Sequence, residues 1–493
     1  MRKVSPKSFR DTAQLFKELG LEDSMQQGNV TTMQPGQSFR LPRDIPDLST
    51  LMSSSRKAGH KVIESVPLSE DNQKLFVALQ DLQLTIDATT VEDAALRMTL
   101  DLLNLSDADW PGRTLTTGAT ASNLLGLACG RNFALQQLGV DVGEEGFSGK
   151  KVPVFCAGAH ASIKKAASII GIGRSNCIDV SDASDKYGVA FDTPQLGLLL
   201  RQNKELEIGS IVVAAIGEVN TGLSTPNIAL LRTLCDTYGA WLHIDAAFAV
   251  FAGVYGPLAR MLLDLRYGDS LCIDGHKWLN VPYDCATFYT KHLPILKNVC
   301  ASGPAAYLTS SQSTSQSSES IESPLNIGIE NSRRFRAFPL YATLVAYGRA
   351  GYADMIHRNL DFARSIDNWL RKSVYFEVLT PQPAEVIGCN LDQGQFETTN
   401  IVLFTVRTDS KVPSGYHDMN DVIAAINSTS ALYVTGTVFH GRPAARLAVS
   451  NWRTGLARES RTGGNTTEIQ RSEDLGIVLS TLARLLPRHE DGA

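Results

Sequence analysis

Two apolar runs that each lead into a reactive residue constrain the fold of this chain more than any other feature. The first ends in segment 243–247, HIDAA, and the second leads into segment 274–277, DGHK, so that Lys277 follows Asp245 by 32 residues. Such runs are typical of buried strands, and the carboxyl ends of parallel strands meet at one edge of a sheet. The pattern therefore predicts an α/β fold that brings an aspartate and a lysine together.

A carboxylate and an amine at one sheet edge are the pair that pyridoxal phosphate needs. The amine of Lys277 can form an imine with the cofactor, and Asp245 can hold a proton on the pyridine nitrogen, so that the ring accepts electrons. Each residue alone has an ordinary interpretation, because most lysines are solvated and a buried aspartate is usually a structural hydrogen-bond acceptor. The two together predict a pyridoxal phosphate site around Lys277 and Asp245.

Alternating strand and helix patterns begin at about residue 112. Helical periodicity covers 161–170 and 227–238. Short apolar, β-branched or aromatic runs predict strands at 151–156, 208–216, 239–245, 270–273 and 286–289. This alternation indicates a mostly parallel sheet, with the candidate residues at the strand ends where ligands bind.

The length of 493 residues predicts more than one domain. We expect an N-terminal accessory segment over 1–90, a large cofactor-binding domain over 91–345 and a smaller C-terminal α+β domain over 346–493. The serine-rich tract 309–320 is too polar to bury a core, and it predicts a mobile loop over about 303–325 inside the large domain. In the C-terminal part, the patterns predict strands at 399–406 and 446–450 and a last helix at 475–486.

Charge and cysteine usage exclude several classes of function. The formal charge is −5 with both signs interspersed, which argues against partners such as nucleic acid or a membrane surface. The eight cysteines include no CxxC pair and no zinc spacing, so we expect no metal and read them as reduced, buried residues of a cytoplasmic protein. The first residues, MRKVSPK, lack the apolar core of a secretory signal and no stretch of 18 apolar residues occurs, so we expect neither a signal peptide nor a membrane span.

A phosphate site is predicted at segment 116–123, TTGATASN, which precedes a helical pattern. Backbone N–H groups at a helix start, such as that of Ala119, together with the hydroxyl of Thr120, can hold a phosphate. A simple helix cap is the alternative interpretation of the same residues.

Three further residues complete the predicted site. His160 follows a strand and can stack its flat ring over the cofactor, although a surface or capping role is the common one for such a histidine. Ala247 lies two residues past Asp245, and strand alternation would bring it to the opposite face of the cofactor ring. His276 suits a phosphate contact or a structural role, and Asp274 can orient the lysine or cap a turn.

These elements, in this order, resemble the group II pyridoxal-phosphate-dependent decarboxylases, the family of aromatic-L-amino-acid and glutamate decarboxylases. The resemblance covers roughly 90–455. It implies the type I fold of PLP-dependent transferases, with a large domain built on a mostly parallel seven-stranded sheet, a smaller α+β domain, and a homodimer with shared active sites. The matching segments are 118–123, His160, 243–247, 276–279 (HKWL), 284–285 and 331–337 (NSRRFRA).

The resemblance also gives a role to Tyr307, thirty residues after Lys277. The matching tyrosine in decarboxylases of this family returns a proton to the α-carbon, and the related aldehyde synthases have phenylalanine there. Segment 217–222, GEVNTG, departs from the family, because Glu218 places a carboxylate in a loop near the cofactor. If it points inward it can alter the site's electrostatics, and if outward it is a solvated loop residue.

The sequence therefore predicts a lyase that converts an L-amino acid, possibly aromatic, to its amine and CO2. Another carbon–carbon lyase or an aldehyde synthase on the same fold is the alternative within enzymes. A catalytically silent protein with this fold is the alternative from another class, and the presence of both Lys277 and Asp245 argues against it.

Overall fold

The computed structural model describes residues 87–147, 149–301, 321–381, 400–407, 416, 418–455 and 466–484. Tyr307 and the serine-rich tract lie outside the described residues, as does nearly all of the predicted N-terminal segment 1–90.

A seven-stranded sheet organises the first part of the described chain, and it confirms the predicted α/β class. The strand order is β1-β7-β6-β5-β4-β2-β3, and β7 is antiparallel to both of its neighbours while the other pairs run parallel. The carboxyl ends of β4, β5 and β6 therefore lie side by side. The strands are β1 Gly112–Thr116, β2 Val154–Cys156, β3 Cys177–Asp179, β4 Ile211–Ala215, β5 Trp241–Asp245, β6 Ser270–Asp274 and β7 Ala286–Thr290.

Helices cover both faces of this sheet, so strand residues alternate between two hydrophobic clusters. In β4, for example, Val212 packs into one cluster and Val213 into the other. Burial on both faces explains why the strands read as nearly continuous apolar runs. The helices are α1 Asp87–Leu102, α2 Ala119–Gln136, α3 Val142–Glu145, α4 Ala161–Ile169, α5 Thr193–Glu205, α6 Ile228–Tyr238, α7 Arg260–Leu263 and α8 Leu293–Cys300.

Several predicted strands are longer than the observed ones, and β1 and β3 were not predicted at all. Strand β2 begins after Pro153, which has no N–H to give to a neighbouring strand. Strand β5 begins at Trp241 because Gly239 adopts a left-handed φ of 72° that ends α6. Strand β1 has the sequence GRTLT with a single leucine, and β3 has only three residues, so neither shows the apolar run that marks the other strands.

The second part of the chain contains a four-stranded antiparallel sheet of order β10-β11-β9-β8. The long helix α9 leads into it, and the predicted boundary at 345/346 falls within α9, close to the non-helical Gly348. Strand β11 starts four residues earlier than predicted and the last helix nine residues earlier. The elements are α9 Ala337–Arg371, β8 Phe376–Val378, β9 Ile401–Val406, α10 Met419–Ser428, β10 Thr435–Phe439, β11 Arg442–Ala448 and α11 Thr466–Arg484.

Two properties of the described ranges bear on the sequence expectations. None of the helices there combines the length and the apolar character needed to span a bilayer. The seven cysteines in these ranges are all free thiols, and six of them are buried.

Candidate active site

Lys277 and Asp245 follow neighbouring strands of the large sheet. In the register of β5 against β6, Asp245 pairs with Cys272, two residues before the end of β6. A short turn then leads from Asp274 to Lys277, whose Nζ lies 2.9 Å from an Asp274 carboxylate oxygen and whose side chain is one-third exposed (33%). The structure therefore brings the predicted lysine and aspartate to the same edge of the sheet.

Three donors hold the carboxylate of Asp245. The Asn123 amide donates to Oδ2 at 2.9 Å, and the Cys272 thiol and the Ala247 backbone N–H approach Oδ1 at 3.1 and 3.2 Å. Burial raises the pKa of the Cys272 thiol well above its ordinary value, so the thiol stays a donor. Strand β5 ends at Asp245, so strand alternation does not extend to Ala247. The backbone N–H of Ala247 holds Asp245, and packing of its side chain against the cofactor ring stays a prediction.

The predicted phosphate site begins at the start of α2, and its first donor is already engaged. The N–H of Ala119 donates to the buried carboxylate of Asp274 at 2.7 Å. Asp274 therefore caps α2 and contacts Lys277, which combines the two roles considered for it. Within the part of the chain that the structure describes, the hydroxyl of Thr120 makes no hydrogen bond, and it stays available to an anion.

His276 is held between a ring and a backbone group. Its imidazole stacks on Tyr283 with ring centroids 4.2 Å apart, and its Nδ1 accepts the N–H of Cys285 at 3.3 Å. A neutral His276 therefore carries its proton on Nε2, which lies 3.7 Å from Asp274. This arrangement is structural, and it leaves the phosphate contact a prediction.

His160 is the N-cap of helix α4. Its Nδ1 accepts the backbone N–H of Ser162 at 3.2 Å and lies 2.8 Å from the hydroxyl of the same residue. The ring is otherwise exposed at the end of β2. The capping interpretation describes these contacts, and stacking over a cofactor stays a prediction.

Glu218 turns into its own loop. Its carboxylate accepts from the amide of Asn220 at 3.0 Å and from the N–H and hydroxyl of Thr221 at 2.8 and 2.9 Å. These bonds answer the question left by the sequence: the carboxylate organises the loop after β4 and is neither a free charge nor fully solvated.

Sequence reasoning missed a guanidinium at this edge. Arg446 on β11 lies with its Cζ 5.5 Å from the ring centre of Phe248, and the Nζ of Lys277 lies 5.8 Å from the same ring centre. Arg446 donates through Nε to the carbonyl of Val219, and no carboxylate among the described residues pairs with it. Burial lowers its pKa below the usual value, opposed by the charge of Glu218. The one feature of the sequence that could have indicated this residue is the position of Arg446 in the predicted strand 446–450, where a charged side chain is unusual.

A cavity of about 560 Å³ opens on Lys277. It lies between the turn that carries Lys277 and the segment following β11. Its lining includes three aromatic side chains, Phe362, Tyr433 and Trp452. This cavity next to Lys277 is therefore partly apolar and large enough for an amino-acid side chain, and Asp245, His160 and Arg446 lie outside its lining.

The donor set fits pyridoxal phosphate. A partly exposed primary amine, a carboxylate held by three donors and an exposed imidazole lie at or beyond the carboxyl ends of the parallel strands β6, β5 and β2, respectively. Lys277 would hold the cofactor covalently and Asp245 its ring nitrogen. On the phosphate side the fit is looser, because Asp274 already occupies the N–H of Ala119 and leaves Thr120 and His276 as the contacts.

Comparison with protein families and curated proteins gives consistent matches. A family model described as the pyridoxal-dependent decarboxylase conserved domain matches residues 84–389. The phenylacetaldehyde synthase of a Rosa hybrid cultivar is 25% identical over 368 residues, which cover 73% of this chain and 69% of that protein. The aromatic-L-amino-acid decarboxylase of Catharanthus roseus is 24% identical over 346 residues, which cover 69% and 63%.

Solved structures share the fold. Oryza sativa TDC with PLP and tryptamine has a TM-score of 0.68 at 19% identity, covering 98% of this chain and 100% of that chain. Catharanthus roseus tryptophan decarboxylase with L-tryptophan has a TM-score of 0.65 at 18% identity, covering 98% and 99%. At this level of identity, the likeness establishes a common architecture.

Proposed function

The chain belongs to the pyridoxal-dependent decarboxylase family, and on that premise we propose that it releases the α-carboxylate of an aromatic L-amino acid as CO2 and forms the amine. Pyridoxal phosphate is the cofactor of the family, and the enzyme is a carboxy-lyase. The observation that carries the proposal is that Lys277 and Asp245 lie at the same edge of the sheet, where Asn123, Cys272 and Ala247 hold the carboxylate of Asp245.

Each residue at the sheet edge has a distinct task in this proposal. Bound pyridoxal phosphate supplies a ring that accepts the electron pair left on the α-carbon when CO2 departs. Asp245 would keep a proton on the ring nitrogen, and His160 would help to position the ring. Tyr307 returns a proton to the α-carbon, as the family resemblance implies.

Arg446 is our candidate for binding the substrate carboxylate. It faces the same ring as Lys277, and it has no carboxylate partner among the described residues. A guanidinium binds a carboxylate through two parallel hydrogen bonds, which would fix the orientation of the amino acid next to the lysine.

Replacing Arg446 by methionine is expected to raise KM for the amino acid by ~10–100-fold, because a charge-assisted hydrogen bond is worth roughly 1.5–3 kcal/mol. Steady-state kinetics measure the effect. Arg442→Met is the matched control, since Arg442 lies on the same strand but pairs with Glu377. Equal KM values for the two variants would rule out this role of Arg446.

The proposed aromatic substrate rests on the cavity beside Lys277. Phe362, Tyr433 and Trp452 line it, and aromatic rings pack favourably on other rings. The decisive experiment incubates the enzyme and pyridoxal phosphate with each common L-amino acid and measures CO2 and amines by mass spectrometry. We expect amine from an aromatic amino acid; the absence of CO2 with every amino acid would refute the decarboxylase.

Aldehyde synthesis is the second candidate function, because two of the matched relatives are phenylacetaldehyde synthases. Tyr307 favours the decarboxylase, since the family's aldehyde synthases carry phenylalanine there. If the wild-type enzyme forms mainly aldehyde, it is an aldehyde synthase and not a decarboxylase that releases the amine.

Tyr307→Phe is expected to lower amine formation by ~10²–10⁴-fold while substrate still binds, because the α-carbon loses its proton donor. The electron-rich carbon then becomes open to O2, and with water the products are the aldehyde, CO2, ammonia and hydrogen peroxide. Product analysis and a peroxide assay measure the change, with Tyr238→Phe as a control on α6. Unchanged amine production would show that Tyr307 is not the donor.

We also propose a cytoplasmic homodimer with shared active sites and the domain division 91–345 and 346–493. The family resemblance supports the dimer, and sedimentation velocity tests it. A monomer with full activity would contradict the shared sites.

A further inference from the structure

A network of hydrogen bonds between buried polar side chains links Asp245 to His160. Asn123, His243, Ser270 and Trp241 are all fully buried (0% exposed), and Ser162 is nearly so. None of these residues faces the cavity beside Lys277. Buried polar groups are costly unless each finds a partner, so the direction of every hydrogen bond in this set can be worked out.

The direction is fixed first at Asp245. An ionised carboxylate only accepts, so the Asn123 group 2.9 Å from Asp245 Oδ2 must be the NH2. The carbonyl oxygen of Asn123 then faces Nε2 of His243 at 2.8 Å, and Nε2 must carry a hydrogen. Burial lowers the pKa of His243 to about 4, so the ring is neutral and its Nδ1 is bare.

The contacts at Trp241 agree with this direction. An indole N–H only donates, and it reaches the hydroxyl oxygen of Ser270 at 3.0 Å. The hydrogen of that hydroxyl is then free to donate to Nδ1 of His243 at 2.8 Å. The Asp245 end therefore fixes the tautomer of His243, the contacts at Trp241 agree with it, and with this assignment no group in the set is left without a partner.

A branch of the same set reaches His160. The second N–H of Asn123 donates to the hydroxyl oxygen of Ser162 at 2.9 Å. The Ser162 hydroxyl then donates to Nδ1 of His160 at 2.8 Å, and the Ser162 backbone N–H approaches the same nitrogen. His160 is thereby left with its proton on Nε2.

The packing of His243 shows that its position is built into the fold. A Cβ added at Gly126 on α2 would lie 2.4 Å from Nδ1 and Cε1 of His243. The imidazole therefore packs directly against the helix backbone, in space that only glycine leaves open.

We propose that Asn123 and His243 are positioning residues, which through this one-directional set of hydrogen bonds hold the carboxylate of Asp245 and fix the tautomer of His160. The proposal deepens the proposed function and rests on it, because Asp245 and His160 are assigned there to the cofactor ring. These hydrogen bonds keep the carboxylate of Asp245 as an acceptor only and the imidazole of His160 in one tautomer, and they hold both groups in a fixed orientation during turnover.

Nuclear magnetic resonance of the holoenzyme labelled with [15N]histidine tests the direction. At pH 8, two-bond 15N–1H correlations show which ring nitrogen carries hydrogen, and the variants His160→Gln and His243→Gln assign the signals. We expect hydrogen on Nε2 and none on Nδ1 in both rings. Hydrogen on Nδ1 of either ring would overturn the proposal. This measurement does not depend on turnover, so a failure of the proposed function remains distinguishable.

The positioning role of Asn123 is tested by making the same Asn→Leu substitution at two buried positions of α2. Asn123→Leu removes the hydrogen bonds to Asp245, His243 and Ser162. Asn132→Leu is the control, because it removes a buried amide whose partner, Asn298, does not belong to this network. We expect Asn123→Leu to lower kcat by ~10–100-fold, with little change in KM and with a fall in Tm like that of Asn132→Leu. Equal kcat in the two variants would reduce Asn123 to a structural role. Loss of the single His160 tautomer in Asn123→Leu is the accompanying spectroscopic signature.

Discussion

Lys277→Ala is expected to abolish turnover, with a loss of at least ~10³-fold, and to remove the absorption band of the covalently attached cofactor. The physical reason is that the side chain supplies both the covalent attachment and a proton-carrying amine beside Asp274. Absorption spectroscopy and an assay of CO2 release measure the two effects. The cofactor can still associate through its phosphate, so binding without covalent attachment is part of the expected result.

Borohydride reduction identifies the lysine directly. Reduction of the wild-type holoenzyme followed by peptide mapping is expected to place the label on Lys277. Lys297→Ala is the control, because Lys297 pairs with Glu322 at the surface and should leave both the label and the turnover intact. A label on any other lysine would show that the cofactor site has been assigned to the wrong residue.

The placement of Lys277 and Asp245 at one edge of the sheet could be predicted from sequence because it depends on general properties of α/β folds. Two apolar runs predict two strands, and parallel strands end at the same edge. The exact length of the strands was not needed. For the same reason the late start of β2 after Pro153 did not disturb the prediction.

The groups that orient Asp245 could not be predicted in this way. His243 contacts Ser270 because of the register between β5 and β6, and Asn123 reaches His243 and Asp245 because of the rotation of α2 about its axis. Neither register nor rotation is readable from periodicity, since a buried parallel strand shows no polar face. The capture of the Ala119 N–H by Asp274, 155 residues away, has the same origin.

Arg446 shows a third reason why part of the site could not be predicted: it comes from the second sheet and reaches the site through packing between the two sheets. It lies on β11 of the antiparallel sheet, yet it contacts the carbonyl of Val219 in the loop after β4. Packing between two sheets depends on surfaces that no local pattern describes. A guanidinium brought to the site from the second part of the chain is therefore visible only in three dimensions.

Asp245→Asn is expected to lower kcat by ~10²–10⁴-fold, because the ring nitrogen of the cofactor loses the negative charge that holds its proton. The amide is nearly the same size, so the protein should fold. Its NH2 group, however, cannot accept from the donor that now faces it, either the Asn123 amide or the Cys272 thiol, and one of these loses its partner. Kinetics on the loaded enzyme and the cofactor absorption spectrum measure the effect.

Asp367→Asn separates this electrostatic effect from a loss of stability. Asp367 is also buried, and its carboxylate accepts from Arg371 and Thr380 in the second part of the chain. We expect Asp367→Asn to lower the free energy of unfolding while kcat per folded molecule stays the same, since its partners contact neither Lys277 nor Asp245. Asp245→Asn should show the opposite pattern, with a modest change in Tm and a large change in kcat. A near-normal kcat in Asp245→Asn would mean that the cofactor's ring nitrogen is held elsewhere, and the assignment of this sheet edge as the active site would fall with it.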